Sequence, residues 1–404
     1  MDLSLEEARA RVLAEAGRRG PCGAPVRVAA ARALGRWLAE PVHADRAAPP
    51  WPRAMRDGYA VRAADGLAPR RVTGMARAGE APTVRIAPGE CAEIMTGAIV
   101  PEGADSIIMV EHAQRQGETV SFERAAAPGD NIAAPGAEYG AGDELLPAGR
   151  RLDAAALAVL ASVGLAEPRV YPAPRVALLA TGDELAEAFS GAALGPAQIR
   201  NCNAPALAAM CALAGAEVAW TGTAADEPSA LGQRVEEALA AGDVLVLSGG
   251  VSKGRFDFVP EVLAERGGAV FFHGVRIRPG RPVVFGKVRE RLFFGLPGNP
   301  LSAMLTFELF VRPALALLAG AAMASVSRPY FTAEMGFEYR GRALPLELFL
   351  PVRFEGDLRR ARVARVSYHG SADVVAWAAA DGYLAVPEGT SELAAGSAVS
   401  VLPK

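Results

Sequence analysis

The feature that most constrains the fold is a strand, loop, helix pattern that repeats from Arg175 onward. Short apolar runs suited to buried strands alternate with helical segments, which is typical of a parallel α/β sheet. The runs predict strands at residues 176–180, 218–221, 244–247, 270–272 and 292–295. Ligands of such sheets bind beyond the carboxyl ends of the strands. We therefore expect a central α/β domain over residues 173–324, with its site in the loops that follow the strands.

The rest of the chain divides around this domain. Residues 44–145 contain short β-like runs separated by Gly and Pro, which predict an inserted, mostly β domain. Helical patterns at 3–16, 30–39 and 153–164 predict a split helical region, residues 1–43 and 146–172, whose two segments pack together. β-like runs return near the end of the chain and predict a small β domain over residues 325–404.

Composition excludes several classes of protein. The chain has 404 residues, 51% of them hydrophobic, and a net charge of -3, so it has no overall attraction to nucleic acid or anionic membranes. Its four cysteines form no CxxC pair, and its four histidines lack zinc-ligand spacing. The apolar stretch 309–324 is interrupted by Arg312 and Pro313, and the charged N-terminus is unlike a secretory signal. We expect a cytoplasmic protein with no membrane or nucleic-acid partner.

A glycine-rich loop at residues 248–257 follows the apolar run 244–247. Gly249 and Gly250 leave room for the backbone to approach a phosphate, Lys253 supplies positive charge, and Asp257 offers an oxygen ligand to a hard metal ion. The loop therefore predicts an anion and metal site.

Polar residues also follow two other predicted strands, at 181–184 and 297–300. Any one of these loops could simply turn the chain. Three such loops at one edge of a parallel sheet indicate a single crevice. Asp183, Glu184 and Asp257 are carboxylates in neighbouring loops and suit a magnesium ion that bridges to phosphate oxygens, and Asp226 could join them. Each of these carboxylates alone is more typical of a helix cap or a surface charge.

An arginine segment, RIRPGR at residues 276–281, lies close in sequence to the glycine-rich loop. Arg276 and Arg278 share a face if the segment is extended, and Arg281 follows a turn. Their guanidinium groups suit a polyphosphate or oxyanion, and the alternative is a solvated edge strand. The nearness of the glycine-rich loop favours a binding role.

Six motifs in consistent order resemble the MoeA and gephyrin E-domain family, the molybdopterin molybdenumtransferases. They are MRDGYAVRAAD, EIMTGAIVPEGAD, ATGDEL, SGGVSKGRFDF, RIRPGRPVVFGK and GLPGNPLSA. The resemblance implies a multidomain α/β plus β fold with a central MogA-like, molybdopterin-binding α/β domain. It also implies an inserted β domain, a split elongated helical region and a C-terminal β-barrel-like domain.

The family resemblance further implies a reaction and its residues. The reaction is insertion of molybdate into adenylylated molybdopterin with release of AMP, in a homodimer whose active site is shared between subunits. The implied catalytic residues are Asp57, Thr96, Glu184, Asp226 and Asp257, of which Asp257 and Glu184 are expected to hold Mg²⁺. The implied substrate-binding residues are Gly249, Gly250, Ser252, Lys253, Arg276, Arg278, Arg281, Pro297, Gly298, Pro300 and Ser371. Expected partners are a MogA-type adenylyltransferase and molybdoenzymes.

The sequence departs from the usual family pattern at several positions. Ala54-Met55-Arg56-Asp57 replaces Ser-Ala-Met-Asp, Glu138 replaces an aspartate, Gly274 replaces a lysine, and Arg278 stands where many relatives have lysine. Arg276 is expected to supply the cation lost at Gly274. The alternatives are a catalytically weak paralogue that binds or delivers cofactor, a tungstate-inserting variant, and a scaffold such as gephyrin. The scaffold is least supported, because gephyrin has an additional domain and a long linker.

Overall fold

The computed structural model describes residues 2–251, 258–326, 330–357 and 360–404. It contains two compact units. The first comprises Met1–Glu40, Ala148–Leu157 and Glu167–Lys404, and the second comprises Pro41–Pro147 and Ala158–Ala166. The second unit contains most of the sequence that predicts an inserted β domain.

Helix α1 (Leu5–Arg19) begins with a capping box, in which Ser4 and Glu7 satisfy each other's backbone N–H groups. Its apolar face joins the core of the α/β domain and packs against Arg312–Leu318. The segments 1–43 and 146–172 are joined by strand pairing, of Val26–Arg27 with Arg169–Val170 and of Trp37 with Arg151. The helix predicted at 30–39 is wrong, because only a 3₁₀ turn forms at Ala30–Arg32 and Gly35 takes a φ of 79°.

The second unit is built on a six-stranded sheet. Its strands are β1 (Gly58–Val61), β2 (Arg70–Ala76), β3 (Glu90–Ile94), β4 (Ser106–Met109), β5 (Ala113–Gln116) and β6 (Thr119–Phe122). Their spatial order is β4-β1-β3-β2-β6-β5, and all neighbours are antiparallel except β2 and β3. Alternate residues of each strand face opposite sides, so Ala60 and Tyr59 enter two different apolar clusters.

Helix α2 (Ala154–Ser162) precedes the α/β domain. The elements of that domain are β7 (Arg175–Thr181), α3 (Asn203–Leu213), β8 (Glu217–Ala224), α4 (Pro228–Ala241), β9 (Val244–Ser248), α5 (Val259–Glu265), β10 (Gly268–His273), β11 (Ile277–Arg278), β12 (Val284–Val288), β13 (Arg291–Leu296), α6 (Pro300–Thr306) and α7 (Arg312–Leu318).

The α/β sheet has the order β8-β7-β9-β13-β12-β10. Strands β8, β7, β9 and β13 are parallel, as the sequence predicts. Strand β12 was not predicted and runs antiparallel to both of its neighbours, so the sheet is mixed at one edge. Helices cover both faces and bury the apolar runs of the strands.

One π-helical turn, Phe307–Val311, lies between α6 and α7. Arg312, the first residue of α7, places its Nε 2.6 Å from Oε2 of the buried Glu308 in this turn. The whole stretch Pro300–Leu318 is long and apolar enough to cross a membrane by composition, yet 89% of it is buried inside the protein. It is the central helix of the α/β core.

The C-terminal strands are β14 (Phe331–Met335), β15 (Glu347–Asp357), β16 (Arg360–Arg365), β17 (Gly382–Val386) and β18 (Ala398–Pro403), with helix α8 (Val374–Ala379). They close in the order β15-β16-β14-β18-β17-β15, so the predicted barrel-like domain is confirmed. Its interior is apolar and includes Met335, Val352 and Leu384. Strand β11 adds to this sheet, because Ile277 pairs with Glu347 and Arg278 with Leu348.

Several short pairings complete the described structure. They join Val26–Arg27 to Arg169–Val170, Val42–His43 to Glu144–Leu146, Arg53–Ala54 to Ile132–Ala133, Leu185–Ala186 to Ile199–Arg200, and Tyr339–Arg340 to Glu392–Leu393.

Candidate active site

The loops after β7, β8, β9 and β13 meet at one edge of the α/β sheet, because these four parallel strands end there. They line a pocket of about 340 Å³, which we call the crevice. The structure therefore brings together the three loops that the sequence assigned to one site. The predicted site residues in its lining are Glu184, Asp226, Gly249, Gly250, Pro297 and Gly298.

Gly249 and Gly250 hold the glycine-rich loop close to β7. Their φ angles are 96° and 66°, a backbone conformation that favours glycine. A Cβ on Gly249 would lie 2.7 Å from Thr181 O, and a Cβ on Gly250 would lie 2.8 Å from Thr181 Oγ1. Larger residues at these two positions would therefore displace the loop.

Thr181 places a buried hydroxyl group in the wall of the crevice. The residue is 6% exposed, and its Oγ1 has no hydrogen-bond partner among the described residues. Because an unpaired buried hydroxyl costs free energy, this group is well suited to bond a ligand oxygen. From the sequence, Thr181 was expected only to belong to a turn. A polar residue at the end of a buried apolar strand could have indicated a binding role for it.

The side chain of Asn203 links two of the loops that line the crevice. Its Nδ2 donates to Ser248 Oγ at 2.8 Å and to Gly298 O at 2.7 Å, and the residue is 7% exposed. A single buried amide therefore fixes the glycine-rich loop against the loop after β13. Asn203 is the first residue of α3, and no local sequence pattern indicates this bridge.

The crevice offers carboxylates for a divalent cation. Glu184 and Asp226 line it, whereas Asp183 accepts a hydrogen bond from the Asp226 N–H at 3.1 Å and braces that loop. Across the described ranges no group of three potential His, Cys, Asp or Glu ligands forms. Two carboxylates still fit Mg²⁺, which usually keeps several waters and takes further oxygens from substrate phosphates.

A larger pocket of about 750 Å³, which we call the basic groove, adjoins the crevice. The two share Pro282, Pro297 and Asn299 in their linings. Arg278 and Arg281 line the basic groove, and Arg281 Nε also lies 2.7 Å from Asp2 Oδ2.

Arg276 belongs to the same segment but has a different environment. Its Nε lies 3.5 Å from Glu388 Oε2, and the residue is absent from the linings of the crevice and the basic groove. The structure therefore does not group Arg276 with Arg278 and Arg281.

Ser371 enters the basic groove from the C-terminal domain. Its Oγ accepts a hydrogen bond from Asn299 Nδ2 at 2.8 Å, and its carbonyl oxygen accepts one from the Leu301 N–H at 2.9 Å. Pro300 lies between these two contacts, where it begins α6 and is absent from the linings of both pockets.

Comparison with known proteins identifies the family. Family models match the chain in three consecutive parts: the MoeA N-terminal region (domain I and II) over residues 3–164, a probable molybdopterin binding domain over 177–317, and the MoeA C-terminal region (domain IV) over 342–404. A molybdopterin molybdenumtransferase of Staphylococcus aureus is 31% identical over 384 residues, covering 93% of this chain and 90% of that protein. This chain belongs to the molybdopterin molybdenumtransferase family.

Two further comparisons agree with the family assignment. A molybdopterin molybdenumtransferase of Nostoc sp. is 37% identical over 300 residues, covering 72% of this chain and 68% of that protein. A crystal structure of a molybdopterin biosynthesis MoeA protein of Pyrococcus horikoshii has a TM-score of 0.75 at 32% identity, covering 100% of this chain and 99% of that chain. The fold expected from the family motifs is thus confirmed.

Two residues that the molybdopterin molybdenumtransferase motifs single out lie in the second unit. The Thr96 N–H and Oγ1–H both donate to Asp57 Oδ1, at 2.6 and 2.7 Å. These two hydrogen bonds lower the pKa of Asp57 below its ordinary value. The structure therefore links Asp57 and Thr96 as a pair.

Two departures from the molybdopterin molybdenumtransferase pattern can be placed. Gly274 has a φ of 103°, and a Cβ there would lie 2.6 Å from Asp2 Oδ1, so a side chain at this position would be strained. Glu138 is a residue of the second unit. The remaining expected site residues, Ser252, Lys253 and Asp257, lie outside the described residues.

Proposed function

We propose that this molybdopterin molybdenumtransferase inserts molybdate into adenylylated molybdopterin and releases AMP. The observation that carries the proposal is the continuity of the crevice with the basic groove through Pro282, Pro297 and Asn299. One end of this path offers carboxylates for a metal ion, and the other offers arginines for an oxyanion. A reaction between a pyrophosphate and molybdate needs both, because two anions repel unless positive charge lies between them.

In this proposal the side chains of the crevice hold the pyrophosphate. Glu184 and Asp257 would hold Mg²⁺, as the family motifs imply, and Asp226 lies in the same lining as Glu184. When bound, the metal would neutralise charge on the phosphate oxygens. The Thr181 hydroxyl donates a hydrogen bond to a substrate oxygen, and Asn203 keeps the two loops at a fixed separation.

The side chains of the basic groove hold the molybdate. Arg278 and Arg281 provide fixed donors for its oxygens, and Ser371 adds a hydroxyl group from the C-terminal domain. Tungstate has the same charge and nearly the same size as molybdate, so the groove offers no chemical basis for separating the two.

We also propose a homodimer in which Asp57 and Thr96 act on the site of the partner subunit. The support is the family resemblance and the two hydrogen bonds by which Thr96 holds the carboxylate of Asp57 in place. A MogA-type adenylyltransferase would supply the substrate, and molybdoenzymes would receive the product. Four free cysteines, two of them fully buried, suit a reducing compartment such as the cytoplasm.

The decisive experiment measures AMP release from adenylylated molybdopterin by the full-length protein in the presence of Mg²⁺. Release that depends on molybdate supports the proposal, and a parallel series with tungstate measures the oxyanion preference. Tight binding of molybdopterin with no oxyanion-dependent release contradicts it and indicates a cofactor-delivery paralogue. Asp257→Ala should abolish release, with Asp381→Ala in the C-terminal domain as a control for the loss of a carboxylate elsewhere.

A further inference from the structure

A separate pocket of about 430 Å³ lies within the first unit, where several helices meet. Its lining comes mainly from α1, the segment just before α2, the end of α3 and the start of α7, and we call it the helix-junction pocket. None of the described residues that line it also lines the crevice or the basic groove. A ligand of the helix-junction pocket is therefore additional to the proposed substrates.

The helix-junction pocket carries an excess of positive charge. Four arginines and two carboxylates line it, although the whole chain has a net charge of -3. Each carboxylate is already paired with one of the arginines. The two pairs are Asp153 with Arg150 and Glu308 with Arg312, both with an N–O distance of 2.6 Å. The other two arginines, Arg9 and Arg151, form no ion pair with any residue that the structure describes, so two positive charges are uncompensated.

Arg9 is fixed at the wall of the pocket because Pro313 interrupts the hydrogen bonding of a helix. Pro313 has no backbone N–H to offer the carbonyl oxygen of Leu309, four residues earlier. Arg9 Nη1 donates to that oxygen instead, at 2.6 Å. Burial lowers the pKa of Arg9, which indicates that its charge is poorly hydrated. An anion bound beside Arg9 would replace the lost hydration.

Arg151 is also oriented by backbone carbonyl groups. Its Nε and Nη2 donate to the carbonyl oxygens of Gly35 and Leu213, each at 3.4 Å. Such contacts orient a guanidinium group without cancelling its charge. Trp37 pairs with Arg151 through a β-bridge and lines the same pocket. Trp37 is only 8% exposed, and its Nε1 has no hydrogen-bond acceptor among the described residues, so a ligand oxygen would supply one.

We propose that the helix-junction pocket binds a small phosphate dianion, either free phosphate or a phosphate monoester. A dianion matches the two uncompensated charges, and guanidinium groups match the geometry of phosphate oxygens. Arg9 and Arg151 bind the phosphate, and Trp37 donates a further hydrogen bond. The apolar side chains of Leu213 and Pro313 in the lining contact any organic group that the phosphate carries. Because the bound ligand contacts elements that are distant in the chain, it stabilises the folded protein.

The test is calorimetric titration of the full-length protein with inorganic phosphate and with glycerol 3-phosphate, at constant ionic strength. Arg151→Gln should weaken binding by about tenfold, the usual loss for a hydrogen bond between charged groups. Arg9→Gln should have the same effect, but Arg151 is the more exposed residue and its replacement leaves the core intact. Arg11→Gln is the control, since Arg11 is an exposed residue of α1 that is absent from the lining.

A second variant separates this pocket from the basic groove, which also offers arginines to an oxyanion. Binding that is weakened in Arg151→Gln and retained in Arg278→Ala supports the proposal. The opposite pattern assigns the phosphate to the basic groove and overturns the proposal.

The two probes also distinguish the source of the phosphate. Tighter binding of glycerol 3-phosphate indicates a phosphate monoester, and equal or tighter binding of inorganic phosphate indicates the free anion. Phosphate should raise the melting temperature of wild type and of Arg11→Gln, but not that of Arg151→Gln. The absence of saturable binding in the millimolar range, or equal binding by wild type and Arg151→Gln, overturns the proposal.

Discussion

Asn299 Nδ2 donates to Ser371 Oγ at 2.8 Å, so the loop after the last parallel strand is tied to the C-terminal domain beside the basic groove. Ser371→Ala removes this acceptor. We expect the KM for molybdate to rise several-fold with a change in unfolding free energy of about 1 kcal/mol or less, because the bond is exposed. Ser397→Ala, which removes a turn hydrogen bond elsewhere in the same domain, is the control. An unchanged KM in Ser371→Ala would show that the tie does not shape the groove.

Asn203→Ala should impair both stability and turnover. It leaves Ser248 Oγ and Gly298 O without their buried donor, which should lower the unfolding free energy by about 2 kcal/mol. AMP release should fall further than this loss of stability explains, because the two loops lose their link. Asn201→Ala is the matched control, since Asn201 is equally buried but only caps the Ala204 N–H, at a cost of about 1 kcal/mol. Equal activity of the two folded variants would contradict the bridging role.

Alanine substitution should distinguish the role of Arg278 from that of Arg276. Arg278→Ala should lower kcat/KM for molybdate by about tenfold or more, because it removes charge from the lining of the basic groove. Arg276→Ala should change it by less than about threefold, because Arg276 pairs with Glu388 instead. If Arg276→Ala is as damaging as Arg278→Ala, then Arg276 does supply the cation that the sequence assigned to it.

Glu184→Gln tests the metal proposal without changing the size of the side chain. We expect the magnesium concentration for half-maximal AMP release to rise by about tenfold, because the crevice loses one of its charged ligands. Glu187→Gln is the control, since Glu187 is an exposed residue of the same loop that is absent from the lining of the crevice. An unchanged magnesium dependence would remove Glu184 from the metal site.

Glu347 should make stability depend on pH. Burial, with a smaller contribution from Glu6, raises the pKa of Glu347 from 4.5 to about 6. The folded state therefore holds this proton more tightly than the unfolded state, so the unfolding free energy falls as the pH rises from 4.5 to about 6. Glu347→Gln should be more stable than wild type above this range by about 1 kcal/mol, allowing for partial solvent exposure.

The measurement for Glu347 is chemical denaturation at pH 4 and pH 7.5. The difference between wild type and Glu347→Gln should appear only at the higher pH. Glu355→Gln is the control, because Glu355 is exposed and paired with Arg353. A difference of the same size at both pH values would assign the effect to packing instead of ionisation.

The sequence was most informative where one physical constraint dominates. Continuous apolar runs such as 244–247 occur where both faces of a strand are covered, and the polar loops that follow them had to meet at one sheet edge. It was least informative where a residue's partner is distant in the chain. Asn203 donates a hydrogen bond to Gly298, and Arg276 forms an ion pair with Glu388. No local sequence pattern predicts either contact.

Local sequence patterns also gave wrong or missing secondary-structure predictions at two places. Strand β12 was missed because its apolar residues directly follow the RIRPGR segment, whose charge made the whole motif look like a binding loop. The helix expected at 30–39 is reduced to a 3₁₀ turn that ends at Arg32, and the positive φ at Gly35 excludes a continuous α-helix across this stretch. At 30–39 a backbone requirement therefore outweighs the side-chain pattern.

Strand β11 belongs to the C-terminal sheet although it lies within the sequence of the α/β domain. The two domains are therefore not interchangeable modules. A chimaera that takes its barrel from a relative must keep a backbone partner for Ile277 and Arg278 at the positions of Glu347 and Leu348. If the donor strand is out of register by one residue, Arg278 turns to the opposite face of the sheet, and the chimaera loses the guanidinium group that we propose binds the oxyanion while both domains remain folded.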